Sequence, residues 1–171
     1  IFQPNTGWPA TGTRAMRLRM SATANGITTV SCSTDAFAAI PASLVLDGAL
    51  DADATTTGTA RKLDNTSASG GVVHNAGQPF TVQARALTAT GAVMSGYDGT
   101  PELSVATCVL PSGCTPGALT APATAAVAGV YSNTAVSYAE VGAIALQLQD
   151  LNYAAVDVAD TAAASRELRS V

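Results

Sequence analysis

From Phe80 to Leu87 the chain alternates: Phe80, Val82, Ala84 and Ala86 are apolar, and Thr81, Gln83 and Arg85 between them are polar. A two-residue period sends one set to a buried face and the other to water, as in a strand with a core on one side only. After the turn cluster Gly96-Tyr97-Asp98-Gly99 the rhythm resumes at Leu103, Val105 and Thr107. The segment therefore continues as antiparallel strands and not as a βαβ crossover. That favours scaffolding or recognition over cofactor chemistry.

Further strands follow from the same reading. Met16, Leu18 and Met20 oppose Arg17, Arg19 and Ser21, and Asn25-Gly26 is the strongest two-residue hairpin signal, with β-branched Ile27 to Cys32 as the returning strand. The arginines read as residues that keep an edge soluble, not as an anion-binding strip. Ile40-Pro41 interrupts the pattern and Ser43 restarts it, which places a junction at 36–42. Residues 47–71 are polar, small and without period, as in a long surface loop that is mobile or binds something. Residues 116–128 fit either a short helix or an extended connector. Val130 to Tyr138 and Val141 to Gln149 read as strands, the second with Ile144, Leu146 and Leu148 inward, and Tyr153 to Val158 as one more. Residues 162–171 hold too few large apolar side chains to dock firmly, so a fraying tail or a lead into another domain is expected. The expected fold is all-β, an immunoglobulin-like antiparallel sandwich over 41–160, preceded by an N-terminal segment 1–40 with a β-hairpin and followed by the tail or linker 161–171.

Composition narrows the partners. Only 12% of the 171 residues are charged against 47% hydrophobic, yet no apolar run approaches the roughly 20 residues needed to span a bilayer. The net charge is -4 and Lys62 is the sole lysine, so there is no basic face for phosphate contacts and nucleic acid is not an expected partner. The chain starts at Ile1 without a leader, as a processed product or a fragment would. Of the three cysteines, Cys108 and Cys114 flank a Val-Leu-Pro-Ser-Gly turn suited to a local disulfide, against the alternative of two free buried thiols. Such a bridge implies an oxidising, extracytoplasmic compartment. Cys32 is left as a buried small hydrophobe, a competitor for the local pairing, or, the favoured reading, the partner of a cysteine outside this segment.

Reactive chemistry is thin. His74 is the one imidazole, and neither Gly-x-Ser-x-Gly nor Ser-x-x-Lys occurs. Glu102 and Glu140 could approach across a sheet as a carboxylate pair, though acids at strand ends are more often solvated. Calcium is the more serious option, with Asp47, Asp51 and Asp53 in one cluster and Asp150, Asn152, Asp157 and Asp160 in another. Neither spacing matches a calcium loop, so solvated loops are favoured and no catalytic residue, cofactor or metal site is assigned. Asn65-Thr66-Ser67 is formally a glycosylation sequon, too short a signal to carry weight.

Four segments taken in order carry a resemblance: Ser31-Cys-Ser-Thr-Asp-Ala-Phe-Ala-Ala-Ile-Pro41, Ala76-Gly-Gln-Pro-Phe80, Gly96-Tyr-Asp-Gly-Thr-Pro101 and Tyr138-Ala-Glu-Val-Gly-Ala-Ile-Ala-Leu146. Over about residues 14–160 the chain resembles the large uncharacterised domain of MshQ-like proteins, associated with biogenesis of the mannose-sensitive haemagglutinin pilus, a bacterial type IV pilus. It departs from that pattern at Ile40-Pro41, where relatives carry Arg-Pro, so a basic contact there does not transfer. The resemblance implies an exported surface protein tied to pili, with no catalytic residues to carry over. The expected role is a noncatalytic structural or assembly module whose partners are pilus or surface-protein subunits, including copies of itself joined through edge strands. The alternative is an adhesin that binds a glycan or host surface through loop 47–71 and exposed Trp8 or Tyr97, because aromatic faces stack on sugars.

Overall fold

A computed structural model describes residues 13–51, 61–63 and 74–170. In chain order the strands are β1 (Thr13–Met16), β2 (Arg19–Ala24), β3 (Ile27–Cys32), β4 (Phe37–Ala39), β5 (Ser43–Asp51), β6 (Arg61–Lys62), β7 (Phe80–Leu87), β8 (Glu102–Leu110), β9 (Leu119–Thr120), β10 (Val130–Tyr138), β11 (Ala143–Asp150) and β12 (Leu168–Arg169). A 3-10 turn at Ala155–Asp157 and a one-turn helix α1 at Ala163–Arg166 lie between β11 and β12. The protein is an all-β antiparallel sandwich. A five-stranded sheet in the order β6-β5-β7-β10-β9 faces a three-stranded sheet β12-β11-β8, while β1-β4 and β2-β3 form separate two-stranded ribbons.

One core joins the two sheets: Leu44, Val82, Ala84, Ala86 and Tyr131 from the larger, Leu103, Leu148 and Leu168 from the smaller. The alternation of β7 holds for Phe80, Val82, Ala84 and Ala86, which are buried, and for Arg85, which is exposed, whereas Thr81, expected on the wet face, is buried where β7 lies between its neighbours. Each such side chain taken out of water contributes on the order of 1.5–3 kcal/mol for the larger apolar residues, and this holds the layers together.

The polar stretch after Asp47 begins as strand, not loop. Strand β5 runs to Asp51 because of a bulge: Leu46 pairs with Ala84 and Gly48 with Gln83, so Asp47 is an extra residue. The bulge switches the inward set from Leu44 and Leu46 to Ala49 and Asp51 and hides the period from the sequence. The rest of the expected loop, 52–60 and 64–71, lies outside the described residues. The expected strand from Tyr153 to Val158 is a 3-10 turn instead. Asp150 Oδ1 accepts the backbone N–H groups of Asn152 and Tyr153, both at 3.0 Å, and this side-chain turn ends extension. The tail docks as well: Leu168 is buried, and Asp150 pairs with Leu168 and Gln149 with Arg169. Ser170 N–H donates to the Leu148 carbonyl at 2.7 Å and Leu148 N–H to Ser170 Oγ at 2.9 Å, which fastens the tail to β11.

Strand directions define two poles. β5, β8 and β10 start at one pole and end at the other, and β7 and β11 run back. The turn Gly96–Gly99 and the 3-10 turn therefore share the first pole, which also carries β1 and β4: Arg14 Nε donates to Asp98 Oδ1 at 3.1 Å and Ala38 N–H to Asp157 Oδ2 at 2.9 Å. The Cys108–Cys114 disulfide, with Cα atoms 5.8 Å apart, ties the last residues of β8 to the loop that follows them at the second pole.

Candidate functional site

Two features offer themselves for binding, one at each pole. At the first pole the ribbon β2-β3 stands away from the sandwich, with every residue of both strands exposed. The expected continuous strand through Met16 and Leu18 is broken at Arg17 and Leu18, and β1 pairs with β4 and not with the hairpin. The tip is built as its sequence specifies, Asn25 and Gly26 taking φ of 52° and 75° as a tight hairpin turn requires. Opposed residues share a face, so Met20, Ala22, Ala24, Ile27, Thr29 and Ser31 line one side and Arg19, Ser21, Thr23, Thr28, Val30 and Cys32 the other. Leu18 (56% exposed), Met20 (51%) and Ile27 (72%) give the first face three exposed large apolar side chains. Cys32 is an exposed free thiol, not a buried hydrophobe.

The arm's root is held by a buried polar knot. Tyr97 Oη donates to Asp150 Oδ2 at 2.8 Å, Tyr153 stacks against Tyr97 with centroids 4.9 Å apart, and the Arg14 guanidinium lies 4.9 Å over the Tyr153 ring. Burial, reinforced by the Asp150 charge, pushes the Tyr97 phenol far above its ordinary value. Burial also raises Tyr153, with the Asp98 charge adding to it. Tyr97 is 1% exposed, so it cannot offer a face to a sugar. The expectation of an exposed Tyr97 fails because its hydroxyl has a buried carboxylate to reach, which the turn sequence alone does not reveal. Trp8 lies outside the described residues.

At the second pole the sheets part into an open cleft of about 610 Å³, walled by Leu46, Ala49, Phe80, Val82, Ile144 and Leu146. Its rim carries His74, Asp47, Glu140 and Val141. Two of these polar groups are occupied. Asp47 takes both Nε and Nη2 of Arg85, with the shortest contact 2.6 Å, and that hydrogen bond and charge raise the guanidinium pKa further. His74 Nε2 donates to the Gln78 carbonyl at 2.8 Å, Nδ1 lies 3.4 Å from Asp51 Oδ2 without hydrogen-bond alignment, and the ring meets Phe80 edge-on. Because a carbonyl only accepts, Nε2 carries a proton and is no base toward the cleft. Glu140 is exposed on the rim, and among the described residues no cation pairs with it.

The carboxylates singled out in the sequence do not converge. Glu102 opens β8 at the first pole and Glu140 follows β10 at the second. A nine-residue strand separates them by roughly 25–30 Å at about 3.3 Å per residue, far beyond the ~5–9.5 Å of a glycosidase pair. Asp51 is buried beside His74, Asp53 lies outside the described residues, Asp150 holds Tyr97, and Asp157 caps Ala38. Among the described residues no group of three His, Cys, Asp or Glu side chains is placed to hold a metal ion. No described helix is long and apolar enough to cross a membrane. The cleft escaped sequence reading because it arises where the two sheets part, and no local pattern encodes that. No family model, curated protein or solved structure matches the chain.

Proposed function

We propose that the chain is a noncatalytic structural or assembly module of an exported, type IV pilus-associated bacterial surface protein, with an immunoglobulin-like sandwich as its rigid body. The observation that carries this reading is the β2-β3 arm, wholly exposed and with large apolar side chains on one face. A lone two-stranded ribbon is marginal in water, so a chain that keeps one extended has a use for it in contact with something else. The local disulfide is compatible with an oxidising, extracellular setting, and the four-segment resemblance to MshQ-like domains supplies the pilus context. The adhesin alternative has lost Tyr97 to the core and is left with Trp8 and loop segments outside the described residues.

The test is location. Gold-labelled antibody against this domain on intact cells of the source bacterium should decorate the surface, and the protein should co-sediment with sheared pili. Labelling confined to the cytoplasm of permeabilised cells would refute the reading.

A further inference from the structure

The arm and the cleft have matching chemistry at opposite poles of one molecule. Residues 14–33 hold three arginines, Arg14, Arg17 and Arg19, and no acid, while the remaining residues hold all twelve acids against five basic side chains. The arm is thus +3 and the rest of the chain -7. Arg14 is committed to Asp98, whereas Arg17 and Arg19 pair with no acid among the described residues. Opposite them in character, the cleft offers apolar walls, the free carboxylate of Glu140 on its rim, and Val141 beside it, 81% exposed.

A molecule cannot satisfy its own cleft. The arm's six-residue strands reach roughly 20 Å, and the nine-residue sandwich strands that separate the arm's root from the cleft span roughly 30 Å, both at about 3.3 Å per residue. Two arms side by side would bring together two segments of net charge +3 with no acid in either, which disfavours a symmetric pair. We propose that the arm of one copy docks in the inter-sheet cleft of the next, its Met20–Ile27 face against Leu46, Ile144 and Leu146, with Arg17 and Arg19, which sit at the arm's root and not on that face, toward the rim that carries Glu140. The contact is head-to-tail, and with its two halves at opposite poles each copy leaves one arm and one cleft open for the next, so assembly propagates. This rests on the reading of the chain as an assembly module and adds the partner, a second copy, and the two surfaces.

Sedimentation velocity on the full chain tests it. The wild type should form species that grow with protein concentration and shrink as salt screens the charges. Ile27→Asp, which spoils the arm, and Glu140→Arg, which reverses the rim, should each weaken self-association by roughly tenfold or more, as losing a central contact does. Both positions are exposed, and unchanged circular dichroism verifies the fold. Mixed, the two variants should form a heterodimer and nothing larger, since the first retains only a cleft and the second only an arm. A wild type monomeric at all concentrations, an Ile27→Asp or Glu140→Arg variant that assembles like wild type, or a mixture without heterodimer overturns the inference. Surface labelling is independent of all three results and still decides whether the module belongs to pili.

Discussion

The hydroxyl of Tyr97, in the turn after β7, donates to Oδ2 of Asp150, the last residue of β11, at 2.8 Å, and so ties the connection between the sheets to the end of the smaller one. Oδ1 of the same carboxylate closes the next turn through the N–H groups of Asn152 and Tyr153. A buried charge is tolerated there because three donors surround it. Tyr97→Phe removes one of them and should lower unfolding free energy by about 1.5–3 kcal/mol, the range for a hydrogen bond to a charged group. Urea denaturation followed by far-ultraviolet circular dichroism measures it, and an unchanged midpoint would refute the role given to this bond.

Gly99 has a different duty in the same knot. A Cβ built there would collide with the Tyr97 hydroxyl and Asp150 Oδ2. Gly99→Ala should therefore destabilise by about 1–3 kcal/mol through overpacking. In the Tyr97→Phe background the cost should shrink only by the Tyr97–Asp150 hydrogen bond that is already lost there, because the ring carbon Cζ and Asp150 Oδ2 still stand in the way of the methyl group. Additive losses in the double variant would count against a shared site.

The raised phenols set a pH limit. Burial lifts Tyr97, Tyr131 and Tyr153 above the ordinary value of 10.0. Below pH 10 both folded and unfolded chains keep these protons, so stability is level. Above it the unfolded chain releases protons that the folded one retains, and stability falls as pH climbs toward the folded values. Tyrosinate absorbance should thus rise together with loss of structure in alkaline solution. Ionisation of these three rings well before unfolding would contradict their burial.

What the sequence disclosed, and what it withheld, divides along locality. The two-residue rhythm of β7 and the Asn25-Gly26 tip are local rules, and both ribbon and strand form where those residues place them. The end of β5 was illegible because one bulged residue, Asp47, reverses the inward set midway. Tyr97, Asp150 and the cleft walls meet only across the sandwich, 53 residues apart in the case of that hydrogen bond. The docking of Leu168 is likewise a property of the gap it fills. Counting apolar residues in the tail missed it, because burial depends on where a side chain lands.

Thiol chemistry separates the three cysteines. Cys32 is exposed and free, while Cys108 and Cys114 are joined across six positions of sequence. A native chain should take up one alkylating group per molecule without reductant and three after reduction and unfolding, read by intact mass. Replacing Cys108 and Cys114 by serine should cost about 2 kcal/mol, the chain-entropy value for so short a loop. Uptake of no group by the native chain would place Cys32 in a bond or under cover and remove the open arm on which self-assembly depends.

In dilute solution the arm should also exchange its amide hydrogens fast. Among the described residues its ladder has no layer against either face, whereas β7 lies between β5 and β10 over the core. Amides of β2 and β3 are then expected to open by local fraying and those of β7 only by global unfolding, a difference of several orders of magnitude in protection for a domain stable by ~5–15 kcal/mol. Raising the concentration until the chain assembles should slow exchange in the arm and leave β7 unchanged. Equal protection of arm and core in the monomer would mean that the ribbon already has a cover, and a second copy would have nothing left to bind.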